Sequence, residues 1–434
     1  MTNGPAGLHA VRPGIRDEQA ASVLGALSPT ARRILKAAFR VLEQDGYEGL
    51  SLRRIAREAG ETKSLITYHF ESKAGLVTTL VDSLWHDADI ALMGEVEGLG
   101  ADPRGRLLAL TGLHRRFAED PRLYQTYFDL FPHVLRDKDA RARLTRTYRS
   151  YRRIGELCLA RGPAGDQGAL VLATLLLAIG EGIAVHVLVT GDDAILEPAF
   201  AALERRALDY LGIEPAAELA KAAAPVEREP APPDAAGSAV DPAKGMEDPA
   251  ARLTPAGARV LDAAVALASD EGLQAVTAEA LARMTGEPSS SVLYYFGDKR
   301  GLIASVVATS DYTFCQAVAR AARPVAPRLP APAAVAAVLR RVFERPGWMR
   351  LLFVVLPVVL RDDELRAREV AFLEQMRAGP TALLRRDGFG DEESSMLSLL
   401  SQSLVLGLAI ERLVDQRGTP VIAVIETWQA LLER

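Results

Sequence analysis

Cysteine is nearly absent: Cys158 and Cys315 are the only two, far apart in 434 residues. Thiols so separated build neither a disulfide framework nor a zinc-ligand spacing, which points to a reducing, cytoplasmic compartment. A surplus of positive charge is missing too. The net charge is −5, so any attraction to nucleic acid must rest on local clusters. There is no Gly-rich phosphate loop, no GxSxG elbow and no HExxH helix. His114 or His133 could serve as a base, but no nucleophile is marked beside either, so an enzyme is not expected. No two histidines show ligand spacing on one helix, and neither metal nor cofactor is expected. Residues 1–27 lack the apolar core of a secretory signal and read as an N-terminal extension.

Long apolar runs are also scarce. The exception, Ala169 to Val189, is broken by Glu181 and His186 and lacks an immediate basic flank on either side. Its length would span a bilayer. An acid near its middle, with Gly180 and Gly182, argues instead for a helix buried in a bundle, with no membrane partner.

What is present is a repeat. Shifted by 226 residues, Arg33–Leu76 lies on Arg259–Leu302 without a gap, with 15 of 44 positions identical. Those identities include Gly46, Gly60, Tyr68, Phe70 and Lys73, residue types too costly to recur by chance in an Ala-rich chain. At a shift of 225, Pro132 to Asp137 resembles Pro357 to Asp362, and Gly182-Ile-Ala-Val185 resembles Gly407-Leu-Ala-Ile410. The duplicated unit is therefore a whole domain of about 190 residues. Between the copies, 214–253 is rich in Pro and Ala and reads as an extended linker.

Helical periodicity dominates and period-two runs are missing, so the fold class is all-α. Ile34, Ala37, Ala38, Val41 and Leu42 form an apolar stripe ending at Gly46. Ser51 and Thr62 can cap the next two helices, Gly60 supplies the turn between them, and Ser72 can cap a fourth. Copy two repeats this punctuation with Gly272, Thr277, Gly286 and Asp298. Two short helices joined through a glycine form a helix-turn-helix, whose second helix can enter a DNA major groove.

These residues carry a resemblance. Ala56-Arg-Glu-Ala-Gly60, Ile66-Thr-Tyr-His-Phe70, Ser72-Lys73 and Leu76 resemble the TetR family, as do Ala282-Arg-Met-Thr-Gly286, Val292-Leu-Tyr-Tyr-Phe296 and Asp298-Lys299. The resemblance is specific over each head and general over the rest. It implies two tandem TetR-like domains: heads at 28–76 and 254–302, and helical regulatory bodies at 77–213 and 303–434.

It further implies that Arg53, Thr62, Lys63, Ser64 and Thr67 approach base edges and nearby phosphates, with Ser51, His69 and Lys73 at backbone-contacting positions. In head two the corresponding set is Thr277, Ser289, Ser290, Tyr295 and Lys299. Tyr68 and Phe70 are expected to pack rather than read DNA. The family usually has a tyrosine where this chain has Thr67 and Leu293, and Glu279 replaces Arg53 in head two. Head one carries nine basic against six acidic residues and head two four against six, so head one is expected to dominate DNA binding.

Family members pair through two C-terminal helices. Here Gly168–Thr190 with Ile195–Leu211, and Glu392–Gln416 with Pro420–Glu433, would face each other as an intramolecular pseudo-dimer. Its heads would address DNA half-sites about 34–36 Å apart. A small-molecule effector is expected in the first body, near Trp85, His86, His114, Phe117, Tyr127, Phe131 and His186. The resulting expectation is a ligand-responsive repressor on an operator in double-stranded DNA. The alternative is a helical protein-binding adaptor with degenerate heads.

Overall fold

Capping and turn chemistry set the helix boundaries of the computed structural model, which describes residues 27–84, 102–159, 165–213 and 242–434. No strand occurs among them. These residues fall into two compact units, one at 27–84 and one from 102 onward.

The first unit is head one. Ser28 accepts from the Ala31 amide at 3.2 Å and Pro29 opens α1 (Pro29–Gly49), whose helical geometry breaks at Gly46 with φ +66°. Its stripe of Ile34, Leu35, Ala38, Val41 and Leu42 is fully buried. Ser51 caps α2 (Leu52–Ala59), and Gly60 ends it in the left-handed region at φ +67°, a conformation that strains residues with a Cβ. Thr62 caps α3 (Lys63–Phe70), which pins Ile66 and Phe70 into the core. Ser72 accepts from the Gly75 amide at 3.0 Å at the start of α4, described over 73–84.

The second unit begins with the first body: α5 (Pro103–Glu119), α6 (Pro121–Arg136), α7 (Lys138–Leu159), α8 (Gly165–Thr190) and α9 (Leu196–Leu211). Head two follows, as α10 (Pro255–Glu271), α11 (Ala278–Thr285) and α12 (Ser289–Tyr294). Then come α13 (Lys299–Ala322), α14 (Ala331–Glu344), α15 (Gly347–Val359), α16 (Asp363–Arg386), α17 (Asp391–Val414) and α18 (Val421–Leu432). Head two shares one apolar core with the second body. Val260, Leu261, Leu281, Val292 and Leu302 pack with Leu351, Val354, Val355 and Val359. Arg300 adds a two-pronged bond to Asp362, at 2.8 and 2.9 Å.

The linker reading needs a correction at its end. Residues 214–241 lie outside the described residues, but 242–253 is folded onto this unit. Pro242 is buried, Pro249–Arg252 forms a 3-10 turn, and Ala250 and Leu253 pack on the head-two core. The reason is local: Asp248 caps the turn at the Ala250 amide, 2.9 Å, and Leu253 supplies an apolar anchor that the Pro/Ala-rich composition concealed.

The two bodies meet through α8 and α17, with α9 and α18 completing a four-helix arrangement. Their contacts are reciprocal about the 225-residue shift. Arg141 donates to the Leu413 carbonyl at 2.8 Å, and its equivalent Arg366 donates to the Leu188 carbonyl at 2.9 Å. Phe128 stacks on its own equivalent, Phe353, with ring centres 5.9 Å apart and planes 12° from parallel. Tyr124, Tyr127 and Phe131 close around that pair. Burial of each such phenylalanine is worth roughly 1.5–3 kcal/mol.

Three helices, Gly168–Thr190, Lys299–Ala322 and Asp391–Val414, are long and apolar enough to cross a membrane by length and composition. The apolar windows of the first and third are 83% buried within the fold. Glu181, in the first, accepts from the Tyr148 hydroxyl, and burial pushes its carboxyl well above the usual carboxylate range.

Candidate nucleic-acid interface

In head one the capping oxygens orient the recognition helix. Thr62 Oγ1 accepts from the Leu65 amide at 3.2 Å, fixing the entry of α3 while Ile66 and Phe70 hold its inner face. Lys63, Ser64 and Thr67 are thereby left on the outer face, all exposed, as is Thr62 itself. Arg53 on α2 is exposed as well. Among the described residues, neither Arg53 nor Lys63 has an acidic partner. Arg54 differs: it is half-buried and paired to Asp45 at 2.7 Å. The adjacent arginines therefore divide, one structural and one available.

The remaining predicted positions have local duties. Ser51 Oγ accepts from the Arg54 amide at 3.2 Å. His69 is half-buried. The Lys73 ammonium lies 4.1 Å above the Tyr47 ring centre, and desolvation, opposed by Glu48, lowers its pKa.

Tyr68 corrects an expectation. It was expected to pack, yet it is 80% exposed on α3, and its equivalent Tyr294 is 83% exposed. On a helix anchored at Ile66 and Phe70, position 68 points away from both, which the spacing alone would have revealed. Phe70 packs as expected, 5% exposed.

Head two keeps the scaffold and loses the chemistry. The Arg33–Glu61 pair recurs as Arg259–Glu287 at 2.7 Å. Thr277 accepts from the Ala280 amide at 3.2 Å, and Ser289, Ser290 and Lys299 are exposed. Tyr295, half-buried, donates to Glu287 at 3.3 Å and packs against the head-two core. Pro288 stands where Thr62 caps α3, and α12 begins without a side-chain cap. Only six residues are helical there, against eight in α3.

The effector residues expected in the first body divide. Trp85, His86 and the Phe117 side chain lie outside the described residues. His114, Tyr127, Phe131 and His186 are buried. Tyr127 and Phe131 pack in the aromatic cluster around Phe128 and Phe353, and the two tyrosine hydroxyls of Tyr127 and Tyr148 meet at 3.0 Å. Burial pushes His114 and His186 down to about 4, so both are neutral at pH 7.

Residues 34–80 and again 260–306 match the bacterial regulatory proteins of the tetR family. The chain is also similar to the HTH-type transcriptional regulator EthR of Mycolicibacterium smegmatis, at 30% identity over 104 residues. That stretch covers 24% of this chain and 42% of the relative, so the chain matches less than half of the relative's length. The two family matches begin 226 residues apart, the same shift that superposes the caps, the glycine turns and the Arg–Glu pairs of the heads. The chain belongs to the tetR family of bacterial regulatory proteins and carries that family's helix-turn-helix head twice.

Proposed function

We propose that the chain is a cytoplasmic, sequence-specific transcriptional regulator: a ligand-responsive repressor whose fused halves act as one pseudo-dimer on an imperfect palindrome. In this reading the heads at 28–76 and 254–302 address DNA, and the bodies at 77–213 and 303–434 pair and respond to a small-molecule effector. The carrying observation is the outer face of head one, where Lys63, Ser64, Thr67 and Tyr68 are exposed together on α3 beside Arg53. Lysine, arginine and hydroxyl groups bond phosphate oxygens and guanine edges, while an exposed tyrosine offers apolar contact in the groove. The reciprocal packing of α8 and α17 supports the pseudo-dimer. Unequal heads favour an imperfect palindrome, with head one supplying most of the affinity. The test is fluorescence anisotropy of the full chain against its own promoter DNA at two salt concentrations, beside an Arg53→Ala/Lys63→Ala variant. Tight, salt-dependent binding lost in the variant is expected; equal affinity for random DNA would overturn the reading.

The acidic balance and weakened recognition helix of head two favour a second reading for that head alone, as a surface for protein rather than DNA.

A further inference from the structure

Between α13, α14, α16 and α17 of the second body lies a cavity of about 730 Å³, its mouth included. Phe314, Val335, Leu339, Met376, Leu383 and Val405 form much of its wall, and no charged residue lines it. Small-molecule sites commonly measure roughly 300–1,000 Å³ and combine such walls with a few placed polar groups. Two polar side chains line this one. Ser401 is satisfied: its hydroxyl donates to the Leu397 carbonyl at 2.7 Å and accepts from Trp428 Nε1 at 3.1 Å. Gln402 is not. Its Nε2 donates to the Leu373 carbonyl at 3.0 Å, leaving Oε1 buried without a hydrogen-bond donor. An amide oxygen withdrawn from water and left unpaired is costly, so its place on a cavity wall points to an occupant that supplies the donor.

The cavity is bounded by the linker's last residues. Pro242 lines it, and the Pro242 carbonyl accepts from Gln375 Nε2 at 2.8 Å and from the Cys315 thiol at 2.9 Å. An occupant would therefore touch the segment that leads into head two. The acceptor belongs to this copy: Leu177 stands at the position of Gln402, and Leu176 at that of Ser401. Gly180 occupies the position of Val405, and the His114 side chain packs against it, 2.6 Å from where a Cβ would sit.

We infer that the second body binds a neutral, largely apolar small molecule whose single hydrogen-bond donor pairs with Gln402 Oε1, against a wall that includes Pro242. An anion is disfavoured, because it would exchange water for a lining without a cation. This rests on the ligand-responsive reading above only for its regulatory consequence.

The test is calorimetric titration of the full chain, without DNA, using 1-alkanols from hexanol to dodecanol and the carboxylates of equal length. One alkanol site per chain is expected, at least about ten-fold tighter than the matching carboxylate, since the carboxylate lacks both a donor and a counter-charge. Gln402→Leu should weaken the alkanol by about five-fold, the worth of one ordinary hydrogen bond, and leave carboxylate affinity unchanged. Val338→Trp, a filling change at a half-buried lining position, should abolish both. Equal unfolding midpoints establish that the variants are folded. No saturable alkanol binding, equal affinity for the carboxylates, or wild-type affinity in Gln402→Leu would each overturn the inference. A promoter titration run in parallel separates the two readings: DNA binding without alkanol binding removes the cavity's role alone, and alkanol binding without DNA binding removes the regulator reading alone.

Discussion

Gly182 on α8 and Gly407 on α17 occupy equivalent places in the two copies, and each lies against the other's helix. A Cβ on Gly182 would fall 1.9 Å from the Ser403 carbonyl oxygen, and one on Gly407 would fall 1.8 Å from the Ala178 carbonyl oxygen. Ser403 and Ala178 are themselves equivalent at the same shift of 225, so the contact is reciprocal. Small residues let two backbones approach where any side chain would wedge them apart.

The first prediction follows from that approach. Gly182→Ala and Gly407→Ala should each destabilise the second unit by about 1–3 kcal/mol, the usual cost of overpacking, because the obstacle is backbone rather than a flexible side chain. Urea unfolding checks this. Two variants as stable as the parent would mean that the crossing relaxes freely.

Arg152 breaks the two-fold pattern. It is 3% exposed and bonds both Glu411 and Asp415 across the copies, with Arg149 adding a two-pronged bond to Asp415 at 2.8 and 2.9 Å. Its equivalent, Arg377, faces His186 at the position of Glu411, and there no ion pair forms among the described residues. Arg152→Met should cost about 3–5 kcal/mol, because it strands two buried carboxylates. Arg377→Met should cost far less. Comparable losses in chemical denaturation would contradict the asymmetry.

The pH dependence has a definite sign above pH 6.5. Burial raises Glu411 from 4.5 to about 7 and Asp129 from 3.8 to about 6, in each case against a neighbouring arginine that pulls down. A carboxyl with a raised folded pKa contributes stability that is fully present below its unfolded value and is lost as pH rises through the folded one. His114 and His186, lowered to about 4, act oppositely, but only between about 4 and 6.5. Stability should therefore fall by on the order of 1 kcal/mol between pH 6.5 and 8. Denaturant midpoints that rise over this interval would refute it.

Head two is tied to its body by a link whose counterpart head one's sequence lacks. Arg300 holds Asp362 down to about 2, chiefly through their hydrogen bonds, while Ala74 occupies the equivalent of Arg300. Arg300→Ala should accelerate amide exchange across 254–302 and leave the global unfolding midpoint nearly unchanged, since the pair is exposed. Exchange mass spectrometry reads both.

In head one, Tyr68→Ala should weaken promoter binding without altering its salt dependence, because the ring carries no charge. Lys63→Ala should reduce the slope of log affinity against log salt by about 1. Tyr294→Ala should do little. A Tyr68→Ala variant with full affinity would return that ring to the role of a bystander.

Local chemistry was legible in the sequence because it acts over three or four residues. The caps at Ser51, Thr62 and Thr277, the turns at Gly60 and Gly286, and the apolar stripe of α1 all follow from spacing and side-chain type. The repeat was legible too, since a 226-residue shift compares the chain with itself and needs no structure. Tyr68 was misjudged because an aromatic residue type was weighed ahead of its position on the helix.

Residue order alone therefore determined the all-helical elements, the duplication and the charge imbalance between the heads. Tertiary structure decided which equivalent residues meet. Phe128 stacking on Phe353, Gly182 lying against α17, Arg152 gaining two carboxylates and Gln402 keeping a bare oxygen beside a cavity all depend on partners far away in the chain. Such contacts depend on how whole helices dock, and docking optimises many side chains together, so no local pattern encodes it.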